Sequence, residues 1–137
     1  MDMKMLVLGA LIAGLVGTAV QGQSFSKDRL SDWEFRFYAC KNVVMNAVIV
    51  IRLMEKHQIT NQSGIDELQS QIGPAVANSV SENEKEYQFV EGEASFVSDL
   101  TFAVVSGLVH GGFELSATQL IQSGNDLCIH TIETMAQ

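Results

Sequence analysis

Apolar positions recur along this chain at three- and four-residue steps, and short polar stretches punctuate them. That period is the one an amphipathic α-helix imposes. From Ser31 onward, Trp33, Phe37, Cys40, Val44, Ala47, Ile51 and Met54 follow it, which predicts one long helix over 31–57 with those side chains on its buried stripe. Ser31 with Glu34 makes a capping-box pair, and Leu30 with Phe35 stands where a hydrophobic staple would. Lys56 and His57 fall in the last turn, where cations suit the helix dipole. The stretch VVMNAVIVI at 43–51 is apolar on nearly every side and rich in β-branched residues, so it also suits a strand. Its flanking periodicity and length favour helix.

The polar segment 58–64 ends in glycine and reads as a loop. A second stripe follows at Ile65, Leu68, Ile72 and Val76, and Gly73-Pro74 inside it predicts a kink or two short helices meeting there. Ser81 with Glu84 is another capping-box pair, ahead of the acidic run ENEKEYQFVEGE at 82–93, whose plain reading is a solvated helix face. Phe96, Leu100, Val104 and Leu108 continue at four-residue spacing until His110-Gly111-Gly112 should stop the helix. Ser116 with Gln119 then opens a last helix near Ala117, carrying Leu120, Ile121, Leu127, Cys128, Ile132 and Met135, with Gly124-Asn125 as a candidate break. The expected fold is all-α, a single compact bundle of four to five helices.

The first thirty residues change the address. Lys4 precedes a 16-residue apolar run from Met5 to Val20, followed by small and polar residues. This is the pattern of a cleavable signal peptide over 1–22, with small residues permitting cleavage after Ala19 or after Gly22. A spanning helix needs about 20 apolar residues, so an uncleaved anchor is the weaker reading. About 115 residues remain for a helical domain over 23–137, a length suited to one core. Apolar stretches at 43–51 and 100–109 are each half the length of a span, and core burial accounts for both.

Export gives the two cysteines a purpose. Outside the cytosol an even count commonly means a bridge, and Cys40–Cys128 would tie the first long helix to the last. The formal net charge of −8 disfavours nucleic acid and anionic membrane, both of which reward a basic surface. A periplasmic or secreted location follows.

Candidate chemistry is sparse. His57 fits a helix end, and His110 with Gly111-Gly112 resembles an oxyanion loop, but Ser106 lacks the GxSxG elbow that such a loop serves. His130 and Glu133 share a helix face as two possible metal ligands, short of the four a closed zinc site needs. Asp99 or Glu114 could serve as an acid of raised pKa, as any acidic protein allows. No catalytic, cofactor or metal site is expected.

With YAC in its first helix and LCIHTIE in its last, the chain resembles the small periplasmic immunity proteins of type VI secretion systems. The resemblance rests on Cys40 after Phe37-Tyr38 and on Cys128 before Ile129, and it implies a helical, disulfide-stapled domain that blocks a cell-wall amidase. By size and single bridge the chain is also similar to acid-stress periplasmic chaperones. The reading is an exported protein-binding module, an inhibitor or immunity factor for a secreted effector or cell-wall hydrolase, with a basic protein as partner. The residues expected to meet it are Asn61, Gln62, His110 and Glu114 in the two loops, and Glu82, Glu84 and Glu86 in the acidic run. The alternative is a chaperone or small-ligand carrier using the interior between helices, and a homodimer fits the chaperone version.

Overall fold

The structure, a computed structural model, describes residues 27–111 and 117–137. Among the described residues five helices follow in order: α1 (Lys27–Ser31), α2 (Trp33–Lys56), α3 (Gln62–Asn83), α4 (Glu93–His110) and α5 (Ala117–Ala136). No strand occurs among the described residues, so 43–51 is helix. The bundle is built around α4, which is buried from Phe96 to Leu108 except at Asp99. A helix that is apolar all round belongs at such a centre. Against it pack α3 on one side and α2 and α5 on the other, while α3 meets α2 only slightly.

The boundaries differ from expectation in instructive places. Helix α2 is capped by Asp32, whose carboxylate accepts the Glu34 N–H at 3.0 Å; Ser31 ends the short α1 instead. An aspartate caps as well as a serine and adds its charge to the positive end of the dipole. The loop after α2 is shorter than 58–64. The chain turns at Gln58, with φ 56°, and Asn61 already caps α3 by accepting the Gly64 N–H at 2.9 Å. Gly64 lies in the first turn because a Cβ there would stand 2.7 Å from Cγ2 of Ile59.

Neither stretch divides its helix in two. Helix α3 runs through Gly73-Pro74, with the proline ring on the exposed side and the Gly73 carbonyl accepting the Ser98 hydroxyl at 2.8 Å. Helix α5 runs through Gly124, which is buried 3.7 Å from Val44 and 3.8 Å from Leu108 as measured to a built Cβ. Glycine in a helix costs about 1 kcal/mol relative to alanine, less than packing against two neighbours returns.

The capping box at Ser81 is overturned. Ser81 lies inside α3, and 84–92 is not a helix at all. This segment lays its aromatic rings over α2: Tyr87 stacks on Tyr38 with centroids 5.0 Å apart, and Phe89 meets Phe35 edge-on at 6.1 Å. Burying those rings against α2 is worth more than continuing a glutamate-rich helix into water. The Ser116–Gln119 box lies partly outside the described residues; α5 does begin at Ala117.

Five members of the expected stripe on α2 are buried, Cys40, Val44, Ala47, Ile51 and Met54, and the two at its start face outward. Trp33 is 74% exposed and Phe37 56% exposed, although both were expected inside. The buried face of α2 centres on Phe35, Ala39, Val43 and Val50, all fully buried. At 3.6 residues per turn the expected stripe is rotated from it by roughly one-fifth of a turn. Because 43–51 is apolar nearly all round, periodicity alone left the rotation undetermined. Helix α2 as a whole also has the length and apolarity of a membrane span, with half of its most apolar window buried inside the bundle. The half-length estimate from 43–51 therefore understated it.

The bridge is present. Cys40 of α2 and Cys128 of α5, both fully buried, are disulfide-bonded with Cα atoms 5.7 Å apart.

Candidate functional surfaces

At one end of the bundle the start of α3 meets the end of α4. The Gln62 amide nitrogen donates to Asp66 at 2.7 Å, and a carboxylate can only accept, so the amide oxygen faces the other way. There it accepts from the Ser106 hydroxyl and from Nε2 of His110, the latter at 2.8 Å. This assigns the His110 ring its Nε2 proton. Sequence reasoning selected Gln62 and His110 separately, and the fold brings them into one hydrogen-bonded cluster. Ser106 is buried and bonded to an amide, not to a base, so the group lacks the nucleophile–base contact of a hydrolase. Asn61 is committed to its cap, and Glu114 lies outside the described residues.

The acidic residues occupy the opposite end. Helix α3, with 22 residues, separates the two ends by roughly 30 Å at 1.5 Å per residue. The expected partner-contacting residues therefore form two surfaces, not one. Glu82 and Glu86 face solvent. Glu84 does not: its side chain is 2% exposed, accepts from Asn42 at 2.8 Å and from the Glu86 N–H at 3.0 Å, and pairs with Lys41 at 3.4 Å. Burial raises its pKa, but those hydrogen bonds and the Lys41 charge outweigh it and hold the carboxyl below its usual range. Its contribution to stability is thus complete above the ordinary glutamate range and lost as pH falls through the lowered value.

Beside it lies a buried ion pair that sequence reasoning missed. Glu93, fully buried at the start of α4, accepts from Arg29 of α1 through both oxygens, at 2.7 and 3.0 Å, and from the Val90 N–H at 2.7 Å. The Arg29 guanidinium also reaches the Tyr87 hydroxyl and lies 5.4 Å from the ring centres of Phe35 and Tyr87. Its hydrogen bond to Glu93 pushes Arg29 further above its already high range. Fixed charges this well satisfied serve architecture, joining α1, the 84–92 segment and α4. The acidic run gave no sign that two of its five glutamates, Glu84 and Glu93, turn inward.

Asp99 lines a notch of about 330 Å³ between α3 and α4 with Gln69, Gly73, Pro74 and Ser95. Burial raises its pKa, opposed by the Gln69 amide donating at 3.2 Å. No second carboxyl lines the notch, so the two-carboxylate arrangement for hydrolysis is not assembled there. A raised folded-state pKa means the ionised form disfavours the fold, and stability falls as pH rises through it. Asp99→Asn should accordingly be stabilising at pH 7 and progressively less so toward pH 4, as urea unfolding at each pH would record. Near the start of α2, Glu133 pairs with Arg36 at 3.5 Å while His130 is exposed, and no metal-holding cluster occurs among the described residues.

The most distinctive surface is apolar. Among the described residues six large hydrophobic side chains are exposed, and five of them lie on two helices: Trp33, Phe37, Met45 and Ile49 of α2, and Ile121 of α5. On α2 they are spaced by four or eight residues, with Lys41 filling the gap, and form the ridge that i±4 positions make across a helix surface. Met45, Ile49 and Ile121 flank a groove of about 840 Å³ along the α2–α5 seam, floored by Val44 and Val48. Scattered exposed hydrophobics are ordinary, but contiguous ones mark interaction sites. The four-residue spacing of Trp33, Phe37, Met45 and Ile49 is readable in the sequence, yet there it was absorbed into the core.

No family model, curated protein or solved structure matches the chain.

Proposed function

We propose that this is an exported protein-binding module, acting as an inhibitor or immunity factor toward a secreted effector or cell-wall hydrolase. The observation that carries the reading is the clustering of exposed apolar side chains on α2 and at the α2–α5 groove, with Met45, Ile49 and Ile121 each more than half exposed. A folded domain with a filled core gains nothing from leaving them in water. Partner surfaces use such anchors for most of their affinity. The buried disulfide is consistent with an oxidising compartment. The −8 charge would steer a basic target toward it, with Glu82 and Glu86 the solvent-facing members of the acidic run.

The test is affinity capture from an extract of the producing cells' envelope and medium, using the oxidised protein as bait. A Met45→Glu/Ile49→Glu bait should retain its melting temperature, since both side chains are exposed, and should lose the captured protein. Anchor residues contribute about 2 kcal/mol or more each, so a weakening of tenfold or greater is expected on quantification. Identical capture by both baits would remove this reading.

A further inference from the structure

The groove between α2 and α5 has a shape and a charge, and together they describe its occupant. Cys40 joins Cys128 and Val44 faces Gly124, so as numbers rise on α2 they fall on α5 and the two helices run antiparallel. Two adjacent antiparallel helices leave an outer furrow into which a third helix packs, its ridge lying between theirs. The furrow floor, Val44 and Val48, and its flanks, Met45, Ile49 and Ile121, are apolar, whereas the α5 wall carries Gln122, Asn125 and Asp126 as a polar rim.

The charges on this seam are largely committed. Lys41 pairs with the buried Glu84 at 3.4 Å and lies over the Tyr38 ring at 5.5 Å, and Arg36 pairs with Glu133 at 3.5 Å. Arg52 is exposed a turn beyond Ile49, outside the groove lining. Asp126 is exposed and is the groove residue that no ion pair engages among the described residues. A second copy of the chain would bring another −8 toward the first. A cationic partner would bring the reverse.

Resting on the protein-binding reading above, we infer that the α2–α5 groove receives an amphipathic helix of a basic protein, its apolar face seated on Met45, Ile49 and Ile121 and a lysine or arginine reaching Asp126. Complementary charge at the rim of an apolar groove selects partners more than it adds raw affinity. The groove should therefore discriminate between helices that share an apolar face and differ in the sign of their polar one.

Three fluorescein-labelled 18-residue peptides test this by anisotropy at moderate salt: one with leucines along one helical face and lysines on the other, the same with glutamate for lysine, and the lysine peptide rearranged to destroy its apolar face. The lysine amphipath should bind at least tenfold tighter than the other two. Met45→Glu and Ile121→Glu should weaken it at least tenfold even though each makes the protein more acidic, whereas Gln71→Glu on the exposed side of α3 should leave it unchanged or slightly tighter. Asp126→Asn should narrow the preference for lysine over glutamate. The proposal is overturned if Met45→Glu binds the lysine peptide as well as the wild type, which is what diffuse charge attraction gives. Equal binding of the glutamate peptide would overturn it too. So would sedimentation showing a dimer dispersed by Met45→Glu, because a second copy would then own the groove. If extract capture still depends on Met45 while the peptides show no preference, the partner chemistry fails and the protein-binding reading stands.

Discussion

Cys40→Ser is expected to lower the stability of the oxidised protein by about 4 to 5 kcal/mol, the loop-closure contribution of a crosslink this far apart in sequence. The bonded residues are separated by 88 positions, and the loop they close contains all of α3 and α4. Both sulfurs sit in the core at zero exposure, so a serine there adds a buried hydroxyl to the loss. Cys128→Ser should cost about the same, and the double variant little more than either single, because one bond is broken in all three. Chemical denaturation without reductant measures this directly. Costs that add in the double variant would mean that the two sulfurs contribute separately and not as a bridge.

Arg29→Met is expected to cost about 3 to 5 kcal/mol, the usual penalty for stranding one member of a buried pair. Glu93 has no solvent exposure, and without Arg29 it keeps only the Val90 N–H among the donors described here. Exposure tempers the figure little, since the carboxylate and not the guanidinium is the group left unpaired. The informative comparison is Arg29→Met/Glu93→Leu, which removes both charges from an aromatic surround. It should recover most of the loss. If it were as unstable as Arg29→Met alone, the damage would lie in lost contacts of the arginine with Phe35 and Tyr87 and not in the stranded charge.

How much of this could be read from the sequence follows from what periodicity measures. It identified helices wherever one face dominates, as at Ile65, Leu68 and Val76 of α3, and it placed Cys40 and Cys128 on buried sides of partner helices. It misjudged the rotation of α2, because a helix apolar on nearly all sides has no unique stripe. It also misjudged the run 82–93, where composition argued for a solvated helix. Tyr87 and Phe89 are scattered among glutamates there, and what fixes them is the distant surface of α2. Local signals likewise overstated Pro74 and Gly124 as breaks, since each sits where neighbouring helices support a continuous element. Gln62 and His110 were chosen as loop residues, and their meeting across α3 and α4 is a long-range fact that no window of sequence contains.

The position of the disulfide bears on synthesis. Its second sulfur lies nine residues from the end of this sequence, while its first lies on the first long helix. During synthesis Cys40 appears early and waits as a thiol while α3 and α4 follow, and it can find Cys128 only once α5 has been made. Closure of the bond thus records that α5 has been made: any product cut short before α5 carries an unmatched thiol, open to oxidants, to mixed disulfides and to recognition as unfinished.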